Sequence, residues 1–229
     1  MRRLRDHSLS LFFLAIFVAA LIGQAIAGHA EYNNEEIAHA RLMSEQPETL
    51  SLWRYVTTSD FGQAMMENWQ SEYLQFTLFV VATVWFVQKG SPESKQLDKV
   101  GIESDGDQKI GEHATADSPK WARARGFKLF VYSNSLLLVM GTIWLGSWFA
   151  HSVTGWSTYN AEQIEHEDET LGWLQYLGSA DFWETTLQNW QSEFLAVGSM
   201  AVLAIYLRQR GSPESKPVGA AHEATGVEG

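Results

Sequence analysis

The chain has 229 residues, a formal net charge of −11 and no cysteine. The acidic balance argues against a nucleic-acid-binding protein, and the missing cysteines exclude disulfides, thiolate metal sites and cysteine nucleophiles. Apolar residues make up 45% of the chain and are concentrated in four blocks. These apolar blocks are residues 9–27, 73–87, 129–149 and 194–207.

The first block is long enough for a membrane-spanning helix, which needs about 20 mainly apolar residues. It has an alternative interpretation, because the basic start with Arg2, Arg3 and Arg5 and the small residues up to Ala27 resemble a cleaved secretory signal peptide. The start of the first block is matched from Ser133 onward, in mid-chain, where a signal peptide cannot lie. We therefore favour a retained membrane helix.

The second and fourth blocks are shorter than a membrane span, so their helices are predicted to begin earlier in the sequence. Asp60 and Asp181 are candidate N-caps, and Gly90 and Gly211, each followed two residues later by a proline, are candidate helix stops. Such helices would cross the hydrocarbon core and leave an amphipathic first third at the outer interface.

Two sequence elements occur twice. Asn-Trp-Gln-Ser-Glu, the pentapeptide, stands at residues 68–72 and 189–193, and Gly-Ser-Pro-Glu-Ser-Lys, the hexapeptide, stands at residues 90–95 and 211–216. Further matches at regular spacing include Tyr32-Asn33 with Tyr159-Asn160. The chain is therefore predicted to be an internal duplication, with one copy of the repeat in each half.

The basic residues predict the orientation in the membrane. Of the 16 lysine and arginine residues, only Arg41 and Arg54 lie in the segments that join the first block to the second and the third to the fourth. Because basic residues collect on the cytoplasmic side, both termini are predicted to be cytoplasmic in a bacterial inner membrane. The two copies then share one orientation.

These observations together predict an all-α integral membrane protein. Its four transmembrane helices are expected to form two tandem parallel-repeat helical hairpins with external amphipathic segments. The predicted boundaries are residues 1–95 for repeat 1, 96–128 for a cytoplasmic linker, 129–217 for repeat 2 and 218–229 for a disordered tail.

Several motifs together cover nearly the whole chain. They are the basic start before Leu9, Gly23-Gln24-Ala25, Tyr32-Asn33 with Glu35, the Trp-Gln-Ser-Glu element and the hexapeptide. In these motifs the chain resembles a family of small bacterial multi-pass membrane proteins catalogued only as a domain of unknown function. The resemblance implies the membrane architecture and brings no activity with it.

The pentapeptides are the main candidate for a functional site. Their asparagine and glutamate lie four residues apart and share one face of a helix. One hypothesis is that the copies meet and present an outward-open polar pocket, formed by Asn68, Gln70, Glu72, Asn189, Gln191 and Glu193. The alternative is that each pentapeptide marks the membrane interface, with Trp69 and Trp190 as interfacial anchors.

A second candidate site consists of Glu35 with His39 and of the copies Glu162 with His166. Glutamate and histidine four residues apart on a helix can ligate one divalent metal ion, and the alternative is an exposed surface pair. No other cofactor is predicted. The sequence has no catalytic Ser/His/Asp set, phosphate loop or dinucleotide-binding motif.

The external segments, residues 28–70 and 151–192, each carry seven acidic residues together with several tryptophans and tyrosines. We therefore favour a non-catalytic binding or interaction protein that acts through this acidic, aromatic external face. Its expected contacts are the lipid bilayer and either a second copy or an unknown membrane or envelope partner. Two alternatives stay open: a small-solute or ion channel or transporter, and a metal-binding membrane enzyme that uses the external Glu and His residues.

Overall fold

A computed structural model describes residues 5–227. Residues 1–4 of the predicted first repeat and residues 228–229 of the predicted tail lie outside the described residues. Within residues 5–227 the chain forms seven α-helices and no β-strand, which confirms the all-α prediction. The helices are α1 (Ser8–Met43), α2 (Leu52–Tyr55), α3 (Ser59–Trp85), α4 (Phe127–Ser133), α5 (Ser135–Glu165), α6 (Trp173–Tyr176) and α7 (Ala180–Tyr206).

Helices α1 and α5, with 36 and 31 residues, are long and apolar enough to cross a membrane. Both run well past the apolar blocks that predicted them, so the first part of each external segment is helical. Helices α3 and α7 have 27 residues each and combine a polar first part, which contains the pentapeptide, with an apolar second part.

The starts of α3 and α7 differ from the predicted caps. Ser179 Oγ accepts a hydrogen bond from the amide three residues later at 3.2 Å, and Thr58 Oγ1 accepts the corresponding bond at 3.3 Å. Asp60 and Asp181, the predicted N-caps, lie instead in the first turns of the two helices. A hydroxyl just before the helix reaches the free amide of the first turn, whereas the carboxylates face the positive end of the helix dipole.

The ends of α3 and α7 also differ from prediction. The helices end at Trp85 and Tyr206, whereas Gly90 and Gly211 lie in the turns that follow, with φ of 88° and 83°. Such values lie in the left-handed region, which glycine occupies without a steric penalty. The glycines therefore shape the hexapeptide turn and do not end the helix.

The two hexapeptides form the same turn. The backbone N–H of Gln88 donates to Ser94 Oγ, and the backbone N–H of Gln209 donates to Ser215 Oγ, each at 2.9 Å. These donors lie just beyond a helix end, where backbone groups lack helical partners. The verbatim repeat of the hexapeptide is thus explained in part by a turn that needs its serine as well as its glycine.

The third apolar block, predicted as one helix over residues 129–149, is divided at Asn134 into α4 and α5. The Asn134 side chain donates to the backbone carbonyl of Phe130 at 2.8 Å, and Ser135 Oγ donates to the backbone carbonyl of Tyr132 at 2.8 Å. Asparagine and serine side chains compete in this way with the backbone hydrogen bonds of a helix. The two adjacent polar residues explain the break.

The described chain divides into two compact units. The first contains the described residues of Met1–Met65 together with Val153–Leu171, and the second contains Met66–Ser152 and the described residues of Gly172–Gly229. Each unit therefore takes segments from both predicted repeats, and the predicted domain boundaries stay predictions.

Each unit has a small aromatic core. In the first unit the Tyr55 ring lies 5.6 Å from Phe61 and 5.7 Å from Tyr32, and Gly28 leaves the space that the Tyr55 hydroxyl fills. In the second unit Tyr176 and Phe182 are buried, with ring centroids 5.6 Å apart. Tyr55 and Tyr176 occupy matching positions of the repeat, as do the two phenylalanines.

Candidate functional site around the repeated pentapeptides

The two pentapeptides contact one another in the second unit. The Trp190 indole N–H donates to Gln70 Oε1 at 2.7 Å, and the Gln70 side chain is fully buried. In the same contact, the Asn189 side-chain amide donates to Glu67 Oε1 at 2.7 Å. Three of these four residues belong to the pentapeptides, and Glu67 directly precedes the first copy.

The contact extends one turn further along both helices. The Gln75 side-chain amide donates to the backbone carbonyl of Glu193 at 3.2 Å. These three hydrogen bonds join α3 and α7 along the pentapeptides. Polar side chains of membrane helices commonly form hydrogen bonds across the contact with a neighbouring helix.

The six residues of the predicted polar pocket do not share one environment. Gln70 is buried and Asn189 and Glu193 are partly buried, whereas Asn68, Glu72 and Gln191 are exposed. The structure therefore brings Gln70 and the second-copy residues into the contact between the helices. The outward-open pocket stays a prediction.

Glu67 was missed by sequence reasoning, because its counterpart in the second copy is Gln188 and it lies outside the repeated motif. It precedes the apolar block that begins at Tyr73. Burial raises the pKa of the Glu67 carboxyl, and the hydrogen bond from Asn189 opposes this effect. Glu67 is therefore a half-buried carboxyl group paired with a neutral amide.

A cluster of aromatic rings surrounds the pentapeptide contact. The ring centroid of Trp148 lies 6.1 to 6.3 Å from four others, those of Trp144, Phe182, Trp183 and Trp190. Trp190, a predicted interfacial anchor, therefore belongs to this cluster, while Trp69 is partly buried. Their depth in a bilayer stays a prediction.

His151 is fully buried at the edge of the same cluster, and its ring stacks on Phe182 at 5.7 Å. One feature of the sequence could have indicated His151, because it is an ionisable residue close after the third apolar block. Burial of a histidine in an aromatic environment favours its neutral form.

In the first unit, two asparagines hold the external loops. Asn33 Nδ2 donates to the Leu50 carbonyl at 3.0 Å, and the Leu50 amide donates to Asn33 Oδ1 at 2.8 Å. Asn160 makes the same two bonds with Leu171, both at 2.9 Å. We call each pair an asparagine clamp. The repeated Tyr-Asn motif thus closes each loop by mimicking a backbone pair.

Each clamp has a third partner on the same carbonyl, and this partner differs. His29 Nε2 lies 2.7 Å from the Leu50 carbonyl, whereas the indole N–H of Trp156 donates to the Leu171 carbonyl at 2.7 Å. In the same unit, burial raises the pKa of the Tyr55 hydroxyl, and the charges of Asp60 and Glu35 raise it further. Each external loop is therefore held at its leucine carbonyl by an asparagine and by one further ring nitrogen.

The predicted metal residues lie in the first unit with other partners. His39 Nδ1 lies 3.1 Å from Glu165 Oε1, and His166 Nδ1 lies 2.8 Å from the backbone carbonyl of Glu162. Glu35 is exposed. Among residues 5–227, no three histidine, aspartate or glutamate side chains are grouped so that they could hold a metal ion. Neither of these two contacts joins the side chains of one predicted glutamate–histidine pair, and the metal site stays a prediction.

Comparison with protein families identifies the chain. The family described as "Domain of unknown function (DUF6766)" matches residues 1–227. The chain belongs to this family. The predicted resemblance to a family of unknown function is thereby confirmed. No curated protein and no solved structure matches the chain.

Membership of the DUF6766 family covers both pentapeptides, both hexapeptides and both asparagine clamps. The family description supplies no activity, so the function of this DUF6766 chain has to be argued from its own residues. The groups that it offers for binding are the contact between the pentapeptides, the external loops and the turns at the ends of α3 and α7.

Proposed function

We propose that this protein is a four-span inner-membrane protein each of whose two external segments binds a protein partner, without catalysis. Helices α1 and α5 supply two apolar spans, and the apolar second parts of α3 and α7 supply the other two. The basic residues lie almost entirely outside the external segments, which favours cytoplasmic termini.

The local geometry supports a duplicated hairpin. The asparagine clamps of Asn33 and Asn160 have the same partners at matching positions, and so do the hexapeptide turns of Ser94 and Ser215. Equal sequence with equal hydrogen bonding at both ends of each hairpin is the pattern of a tandem parallel repeat. Both external segments would then lie on one side of the membrane.

The observation that carries the binding role is the exposure of two large apolar side chains. Trp53 in α2 is 81% exposed and Leu174 in α6 is 76% exposed. They occupy matching positions of the repeat, each one residue into a short helix of four residues. Both residues lie in the acidic external segments, so a contact surface that includes them would suit a partner with apolar and basic groups.

Photo-crosslinking in intact cells tests this proposal. A photoreactive amino acid would replace Trp53 or Leu174, and a third variant would carry it at Ile102, an 80% exposed residue of the predicted linker, as the matched control. We expect one crosslinked protein of the same mass from positions 53 and 174 and none of that mass from position 102. The same crosslinked products from all three positions would contradict specific binding of a partner by the external segments.

A further inference from the structure

Glu93 and Glu214, the fourth residues of the two hexapeptides, line one groove of the second unit. The groove has a volume of about 300 Å³, at the lower end of the range for small-molecule sites. Its remaining wall is formed by one amide and five apolar side chains from α3 and α7. These residues are Gln75, Phe76, Phe79, Ala196, Val197 and Met200.

The two carboxylates lack a counterion within the described chain. Among residues 5–227, neither Glu93 nor Glu214 forms an ion pair or accepts a hydrogen bond from another side chain. Burial raises the pKa of the Glu93 carboxyl, and the charge of Glu214 raises it further, so the two groups are close enough to repel each other. Like charges that are brought together favour either protonation or a bound cation.

The hexapeptide turns hold the pair in place. Each glutamate directly precedes the serine that accepts the hydrogen bond from the helix end, Ser94 or Ser215. Pro92 is buried beside Glu93, which further restricts that turn. The two turns fix the backbone of both glutamates beside the apolar wall. The site is therefore preorganised.

We propose that this groove binds a single-chain lipophilic cation, with its ammonium group at Glu93 and Glu214 and its alkyl chain along the phenylalanine and methionine side chains. Charge complementarity selects the cation, since an anionic amphiphile would meet two carboxylates. An amine-headed phospholipid is disfavoured because its phosphate would meet the same two carboxylates.

Direct binding of tritiated octylamine to the full chain in a neutral maltoside detergent tests the proposal. Scintillation proximity would report bound ligand, with unlabelled octyltrimethylammonium and octanoate as competitors. We expect saturable binding that octyltrimethylammonium displaces and octanoate does not. Equal competition by octanoate would overturn the proposal, because it would show that the alkyl chain alone is recognised.

Charge variants identify the groups that bind. The variant with Glu93→Gln and Glu214→Gln is expected to lower the affinity for octylamine about tenfold, since two ion pairs of ordinary strength are together worth roughly that factor. The matched control carries Glu112→Gln and Asp117→Asn, which remove the same charge from exposed positions of the linker. Binding by the groove variant within twofold of the control would overturn the proposal.

A steric variant separates loss of the site from loss of folding. Ala196→Phe fills the groove without changing its charge, and it is expected to abolish octylamine binding while the unfolding temperature stays near that of the parent chain. Native mass spectrometry would identify copurified lipid. Phosphatidylethanolamine retained by the parent chain and lost from the Glu93→Gln/Glu214→Gln variant, without octylamine binding, would overturn the single-chain cation and assign the groove to a phospholipid.

Discussion

Lys95 and Lys216 end two identical hexapeptides, and their side chains lie in different surroundings. Lys95 Nζ donates to the Gly101 carbonyl at 2.7 Å and forms an ion pair with Glu103. Lys216 is only 1% exposed, and within residues 5–227 its Nζ lies within hydrogen-bonding distance of backbone carbonyls alone. These carbonyls belong to Gly90 at 2.6 Å, His222 at 2.8 Å, Ala224 at 3.2 Å and Ala221 at 3.3 Å.

The difference shows that the hexapeptide determines the backbone turn, whereas the flanking sequence determines the partners of the lysine. The turn is the same in both copies because its glycine and serine are the same. The lysine partners differ because Glu103 follows the first copy, whereas the second is followed by the tail. Burial, and then the charge of Arg208, lower the pKa of the Lys216 amine.

The tail also joins the second hexapeptide to the first. The Gly90 amide donates to Thr225 Oγ1 at 2.8 Å, and the Gly226 amide donates to the Ser91 carbonyl at 3.0 Å. Lys89 and Glu223 form an ion pair beside these bonds. Residues 218–227, which the sequence predicts to be part of a disordered tail, thus make defined contacts around Lys216.

Lys216→Met is expected to have the largest effect on stability. It would leave several buried carbonyls without a donor, at a cost of about 3 kcal/mol. Thermal unfolding in detergent, followed by tryptophan fluorescence, would measure the loss. Lys95→Met is the matched control, and a loss of equal size in that variant would contradict the distinction between the two lysines.

The asparagine clamps extend the same comparison to the external loops. Asn33→Ala and Asn160→Ala each remove two hydrogen bonds to one leucine backbone, so each is expected to cost about 1–2 kcal/mol. Similar losses would show that the two loops depend on the clamp alike. A large loss at only one position would show that, at the other position, the third partner of the leucine carbonyl, His29 or Trp156, is sufficient to hold the loop without the asparagine. Unfolding of the two variants side by side decides between these results.

The Lys95–Glu103 ion pair is expected to contribute less than about 1 kcal/mol, because both groups are partly exposed and water and salt screen them. The Lys95 contact lowers the pKa of the Glu103 carboxyl. Its contribution is therefore present above the unfolded-state pKa and is lost as the pH falls through the folded-state pKa. A double-mutant cycle of Lys95→Met and Glu103→Gln at two salt concentrations measures it, and a coupling that does not weaken in salt would contradict a surface pair.

Glu93→Gln is expected to have the smallest effect and the opposite sign, a gain of about 0.5 kcal/mol at neutral pH. Because the folded-state pKa of Glu93 is raised, the folded chain holds more protons than the unfolded chain between the two pKa values. The stability of the parent chain should fall as the pH rises through this window. The variant should lose that part of the pH dependence, and an unchanged pH profile would contradict it.

The sequence was a reliable guide to the helices and a poor guide to their ends. Apolar blocks and the repeat predicted long helices at the right places, since both depend on local pattern. Residues 28–43 were not predicted as part of α1, because their helix lacks a strong apolar period. The break at Asn134 depends on a side-chain hydrogen bond inside an apolar run, which apolar content does not report.

The candidate site was predicted only where it coincided with the repeat. Gln70, Asn189 and Trp190 lie in the pentapeptides and meet across α3 and α7. Glu67 and His151 are not matched by the same residue type in the other copy, so the repeat could not indicate them. The partners of Lys216 come from a sequence of small residues with no motif, and only the folded chain brings them together.

The orientation of the two hairpins is the feature on which the proposed function depends. Because the chain has no cysteine, single cysteines report it directly. Trp53→Cys and Leu174→Cys would probe the two external segments, and Ile102→Cys and Val218→Cys, at exposed positions, would probe the cytoplasmic side. Each variant would be treated with a membrane-impermeant maleimide on intact spheroplasts and again after permeabilisation.

We predict that positions 53 and 174 are labelled on intact spheroplasts, and that positions 102 and 218 are labelled only after permeabilisation. Labelling of position 53 with protection of position 174 would contradict the parallel repeat, and with it the proposed binding by both external segments.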